Sequence, residues 1–180
     1  MRRNGRAYRL EPASIREPSR AFLEANPLCT VPTAIDGTAC LTESIAIMQY
    51  IMGRYGPTEL ALGPDEPGYA DYLQFLVFGE AALAMNVNPI IGVRFFAPET
   101  EKDNWSVRDC AERYVKRMLY VEQRLGDREF IAGRFSAADI SLGFALGMAE
   151  FAGVGEHVPQ RIADYRRRLT ERAAYQRAAA

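Results

Sequence analysis

A chain of 180 residues, 48% apolar and 25% charged, has the composition of an ordinary soluble globular protein with room for one large domain or two small ones. Its formal net charge of −1 excludes a long-range field that recruits nucleic acid or an anionic membrane. No apolar run of about 18 residues stands out, so no membrane span is expected.

The N-terminus, "MRRNGRAYRL", is basic but lacks the apolar centre of a signal peptide. "AYRL" (Ala7 to Leu10) reads as a short strand, and "EPSRAFLEAN" as a polar segment with a short helix. "VPTAID" and "TACLT" are β-prone runs joined at Asp36-Gly37, a strong hairpin signal because glycine accepts the positive φ of the turn. Ser44 opens a helix carrying Ile47, Met48 and Ile51 at helical spacing, ending near Tyr55-Gly56-Pro57. "GPTELALGPDEPG" (Gly56 to Gly68) holds three prolines and reads as a linker. Beyond it nearly everything is helical. "YADYLQFLVFGEAALAMNVNPIIGVRFF" should kink or break at Pro89, which has no backbone N–H. "SVRDCAERYVKRMLYVEQRLGD" aligns Val107, Cys110, Ala111, Tyr114, Met118, Val121 and Leu125 on one face. "SAADISLGFALGMAEFAG" is nearly all apolar and reads as a central buried helix, and the tail as one or two Arg-rich helices. The order is therefore small α/β first and all-α second.

Three constellations carry the chemistry. Ser136 and Asp139 stand as N-cap and N3 of a capping box, with Phe135 and Ile140 at the positions of a hydrophobic staple; replacing Ser136 or Asp139 with alanine should cost about 1 kcal/mol or more. The site is structural. Val31-Pro32 precedes the first hairpin run. A cis bond there would turn the N–H and C=O of Val31 towards an extended peptide, although only about 5–6% of such bonds are cis, and trans stays open. Glu43-Ser44 follows the second run at a helix start, where unpaired N–H groups and the positive dipole end bind carboxylates. Two readings stay open for the pair: a plain helix cap, or a receptor for both charges of an α-amino-acid terminus.

Taken together, "NPLCTVPTAIDGTACLTESIAIMQYI" resembles the glutathione-binding segment of cytosolic, bacterial-type glutathione S-transferases, whose pattern has Asn-Pro, Val-Pro, a hairpin and Glu-Ser-x-Ala-Ile. "FIAGRFSAADIS" resembles the capping motif of that family's helical domain, and "RLTERAAYQRAAA" its C-terminal ending, so the resemblance spans residues 8 to 180. The resemblance implies an α+β then all-α chain. A thioredoxin-like domain, residues 1–55 and truncated, would be followed by a linker, 56–67, and an all-helical domain, 68–180. It implies that the backbone of Val31, before a cis Pro32, pairs with the cysteinyl part of glutathione, and that Glu43 and Ser44 hold its γ-glutamyl end. Thr30 falls where many members carry a Lys or Gln for the glycyl carboxylate, and Ala173 replaces a frequent proline.

The match begins at "AYRLEPAS", which looks like the second strand of the family's domain. About one strand-helix unit, on the order of 30 residues, is then expected to be missing, together with the Ser, Tyr or Cys that activates the thiol. Ser14, Ser19, Cys29 and Tyr8 do not occupy that position, so the catalytic residue is unknown. A start placed too late, a remnant, or a variant that only binds would each account for this.

His157, the single histidine, reads as a loop residue, and no metal site is expected. Cys29, Cys40 and Cys110 fit no metal spacing and read as reduced thiols of a cytoplasmic protein. Arg166-Arg167-Arg168 reads as a solvated helix face, because Asp164 and Glu171 interrupt its charge. Tyr72, Phe75, Phe78, Gly79, Ala82 and Met85 form a stripe that is either core or the wall of a substrate pocket. The expected function is glutathione transfer: glutathione is the co-substrate, a small electrophile the partner, and the chain a homodimer without nucleic acid or membrane. The alternatives are a non-catalytic module acting through protein contacts, and a glutathione-dependent lyase or isomerase.

Overall fold

A computed structural model of the chain describes residues 8–154 and 158–179. Ala7, at the start of the expected first strand, and His157 lie outside the described residues. The chain divides into two compact units, residues 1–58 and 59–180.

In the first unit, Ser19 caps α1 (Arg20–Ala25) by accepting the Phe22 N–H at 3.2 Å. β1 (Ala34–Asp36) and β2 (Ala39–Leu41) pair antiparallel, Ala34 opposite Leu41 and Asp36 opposite Ala39, around Gly37 with φ +60°. The Asp-Gly hairpin is therefore as expected from its turn chemistry. α2 (Ser44–Arg54) follows and buries Ile47 and Met48. Tyr8 to Leu10 differ from expectation. They form no strand, and Tyr8 and Leu10 are exposed, because a strand exists only where its backbone groups find a ladder and the described sheet has two strands.

The second unit is helical. α3 (Tyr69–Phe78) runs through a π-helical turn (Gly79–Ala84) into α4 (Met85–Phe96), forming one helix of 28 residues. α5 (Trp105–Leu125), α6 (Ala137–Phe151), α7 (Gln160–Thr170) and α8 (Ala173–Ala179) complete it. One expectation is narrowed and one corrected here. Of the kink or break expected at Pro89, the break does not occur, since the helix runs on to Phe96. The irregularity lies upstream, in the widened π turn, and the Asn86 amide donates to the Ala82 carbonyl at 2.6 Å there, giving that backbone acceptor a side-chain partner. Tyr69–Phe96 is also long and apolar enough, by length and composition, to cross a membrane, contrary to the reading of apolar runs. Its buried side chains Tyr72, Phe75, Leu76, Leu83, Val87 and Ile90 belong to the core of this unit, where α3 and α4 pack on α6 and α5.

The aromatic stripe therefore divides. Tyr72, Phe75 and Gly79 are core, Phe78 and Ala82 half-buried, and Met85 exposed. On α5 the buried face is Tyr114, Met118, Val121 and Leu125, the C-terminal part of the expected one. Part of the proline-rich stretch is tied down. The Leu60 carbonyl accepts the Ala137 N–H at 2.9 Å, Arg134 donates to the carbonyls of Glu59 and Ala61, and Leu62 is buried.

The buried start of α6 carries a network centred on Asp139. Its carboxylate accepts the Ser136 N–H at 2.8 Å and the Ser136 hydroxyl at 3.1 Å, completing the capping box. Its other oxygen accepts the Ile131 N–H at 3.0 Å and the Tyr165 hydroxyl, from α7, at 2.7 Å. Burial raises the Asp139 carboxyl above its ordinary pKa against the pull of these donors, and burial likewise pushes the Tyr165 phenol up. Phe135 packs edge-on against Phe130 and under Arg172, while Ile140 is exposed.

Candidate functional site

The register of the hairpin brings the two site segments together. Ala34 pairs with Leu41, so Val31, three residues before Ala34, and Ser44, three residues after Leu41, emerge at the same open end of the two strands. Thirteen residues apart in sequence, they are neighbours by topology.

Val31 precedes a cis bond to Pro32 and is 54% exposed. Among the described residues, neither its N–H nor its C=O is hydrogen-bonded, so both are available to an extended chain. Glu43 is the N-cap of α2, yet its side chain makes no capping bond, in contrast to the box that closes α6. Its backbone sits at φ +67°, ψ +113°, a conformation that non-glycine residues adopt at a cost and that concentrates at ligand-binding positions. Glu43 is exposed and Ser44 half-buried, and among the described residues neither side chain has a hydrogen-bond partner. The helix start thus presents uncapped N–H groups, a hydroxyl and a carboxylate side by side. Chemically, that set accepts a carboxylate on the N–H groups and hydroxyl, and an ammonium on Glu43.

Two supporting features went unread in the sequence. Asp36, at the turn end of the hairpin, accepts the hydroxyls of Tyr50 at 2.9 Å and Tyr55 at 2.5 Å, clamping the hairpin to α2. A 14- and 19-residue separation leaves no local signal. These phenols, first Tyr55 and then Tyr50, lower the Asp36 pKa, and the Asp36 carboxylate in turn raises both tyrosines. The second feature is Asn26, 2% exposed, whose side chain organises the loop leading to Val31. Its sequence signal was the Asn-Pro pair, read only as part of a pattern.

The Asp36 clamp has a defined pH window. A depressed carboxyl contributes stability above its ordinary value of 3.8 and loses it as the pH falls through the lower folded value. Tyrosines raised above 10.0 contribute below that value and lose it as the pH rises through their folded values. Asp36→Asn should lower the thermal midpoint of the hairpin unit between these limits, and the deficit should shrink on both sides. Melts followed by tyrosine fluorescence across pH check this; a deficit independent of pH would show that the carboxylate charge is not what the phenols hold.

The geometry defines the class: a small α/β unit with a cis-proline loop and a receptive helix start, followed by an all-helical unit. Residues 2–59 match the family described as glutathione S-transferase, N-terminal domain. The human glutathione S-transferase theta-2 is 30% identical over 125 residues, covering 64% of this chain and 49% of that protein. Glutathione S-transferase F10 of Arabidopsis thaliana is 27% identical over 127 residues, covering 67% and 58%. The chain thus spans about half the length of the curated relatives it matches. Among solved structures, the ternary complex of BphK, a bacterial glutathione S-transferase, superposes with a TM-score of 0.83 at 22% identity, covering 98% of this chain and 88% of that one. A sphingomonad glutathione S-transferase complexed with glutathione gives 0.72 at 26% identity, covering 87% and 76%. The chain is thus similar to glutathione S-transferases, with residues 2–59 matching their N-terminal domain family, and its fold is a thioredoxin-like domain with a small sheet followed by a helical domain.

Proposed function

We propose that this chain binds glutathione through Val31, Pro32, Glu43 and Ser44, and that the protein uses it as co-substrate for thiolate attack on a small electrophile. One observation carries the reading: an uncapped helix start at Ser44, with Glu43 at positive φ, lies at the same end of the hairpin as the unpaired backbone of Val31. Glutathione offers what this arrangement lacks. Its γ-glutamyl carboxylate fits the N–H groups and hydroxyl of Ser44, its ammonium fits Glu43, and the cysteinyl N–H and C=O fit Val31 in the manner of an added strand. The sphingomonad relative is a complex with glutathione, which supports the same ligand here.

Transfer chemistry requires a thiolate, and a free thiol near pKa 8.5 is only a few per cent ionised at pH 7. The residues named here bind and orient. No side chain of this chain is assigned to thiol activation. The reading also includes a cytoplasmic homodimer with domains at 1–55 and 68–180 joined by 56–67.

Calorimetric titration with glutathione tests the reading. The chain should bind it, and Ser44→Ala and Glu43→Gln should each weaken binding about tenfold, as expected for a lost hydrogen bond to a charged group. Unaltered affinity in both variants would overturn the site. Binding without turnover of an aryl halide would favour the non-catalytic module, and no binding at all would end the proposal.

A further inference from the structure

Asn26 is the one residue among those described that bonds to both sides of the Val31-Pro32 pair. Its amide nitrogen donates to the Thr30 carbonyl at 2.8 Å and to the Thr33 hydroxyl at 2.9 Å, and lies 3.3 Å from the Thr30 hydroxyl. Its amide oxygen accepts the Leu28 N–H at 3.1 Å, and its backbone carbonyl accepts the Cys29 N–H at 3.0 Å. The Thr33 hydroxyl donates in turn to the Thr30 carbonyl at 2.9 Å, closing a ring around the proline turn. Cys29 is held at φ +53° inside this loop. Thr30 and Thr33 are anchored, and between them the N–H and C=O of Val31 are left free among the described residues.

A buried polar side chain that satisfies its own donors and acceptors on a single loop sets that loop's shape. Here the shape determines where the unpaired N–H and C=O of Val31 point. We infer that Asn26 is a positioning residue for glutathione: it holds the Val31 backbone in the orientation that pairs with the cysteinyl segment of the tripeptide. The inference rests on the glutathione reading above and goes beyond it, because Asn26 is buried beneath the loop and acts through the Val31 backbone. Preorganisation of this kind lowers the ordering cost that binding would otherwise meet, so its loss is read in affinity.

Asn26→Asp isolates the effect. The carboxylate still accepts the Leu28 N–H but sets an oxygen, in place of a donor, against the Thr30 carbonyl. Glutathione affinity should fall tenfold or more by calorimetry, while the thermal midpoint of the helical unit stays unchanged. Amide NMR shifts supply a readout that a purely structural role would not move. In the wild type, glutathione should perturb the N–H of both Val31 and Ser44; in Asn26→Asp the Val31 response should vanish while that of Ser44 survives at saturating ligand. Should Asn26→Asp fail to fold, Thr33→Val, which removes the hydroxyl from the ring and leaves Asn26 in place, is expected to weaken glutathione binding threefold or more.

An unchanged affinity in a folded Asn26→Asp, or in Thr33→Val when that variant decides, overturns the inference and leaves the glutathione reading standing. Joint loss of the Val31 and Ser44 responses in a folded variant also overturns it, because Asn26 would then support the unit as a whole. A wild type that shows no response to glutathione brings down both.

Discussion

Replacing Asp139 with alanine should destabilise the protein by about 4 kcal/mol, a large share of the roughly 5–15 kcal/mol by which folded domains are stable. Local capping alone would account for about 1 kcal/mol. The larger figure comes from the partners that converge from elsewhere. Without the carboxylate, the buried N–H groups of Ile131 and Ser136 and the hydroxyl of Tyr165 lose their acceptor together, and each such orphan costs about 1–3 kcal/mol. Asp139→Asn should cost about half as much, since the amide keeps one acceptor and turns a donor towards Ser136. Urea denaturation measures both. A cost near 1 kcal/mol for Asp139→Ala would mean that Tyr165 and Ile131 find other partners.

The second large effect is expected at Gly79, where the π turn crosses α6. A Cβ there would stand 2.6 Å from the backbone carbonyl carbon and oxygen of Ser141, and backbone cannot swing aside as a side chain does. Gly79→Val should therefore force the two helices apart and cost about 3 kcal/mol, the upper part of the usual range for overpacking. Gly92, also helical but with nothing within 4 Å of the same position, is the control. Gly92→Ala should leave stability unchanged or raise it by about 0.5–1 kcal/mol, because alanine restricts the unfolded chain more than glycine does. Thermal melts of the two variants decide the matter; equal behaviour would remove the close crossing as the reason for glycine at 79.

What could be read before folding depended on interactions spanning a few residues. Asp36-Gly37 specifies its hairpin because the turn's φ requirement is local, and Ser136 with Asp139 specifies a helix start because the two are three residues apart. The periodicity of α5 named a face from Val107 to Leu125, of which Tyr114, Met118, Val121 and Leu125 are buried while Val107, Cys110 and Ala111 are half-buried. Val31, Pro32, Glu43 and Ser44 were visible as residue types in a pattern, and the resemblance to glutathione S-transferases rested on that pattern.

Tertiary structure decided what those residues do to one another. Val31 and Ser44 become neighbours only through the register of β1 and β2, and the positive φ of Glu43, whose side chain makes no capping bond, is a property of how β2 enters α2. Tyr50 and Tyr55 reach Asp36, and Tyr165 reaches Asp139, across separations that no propensity encodes. The 28-residue helix reads as interrupted when its proline is weighed alone, yet it is continuous because the irregularity is absorbed in the π turn and the core covers its apolar face. The sequence by itself determined the turns, caps and amphipathic faces, since each is specified by backbone conformations and hydrogen bonds within a turn or two of chain. Which buried donors meet which acceptors, and which backbone groups are left free for a ligand, was decided only by packing, because those pairings depend on where distant segments come to rest.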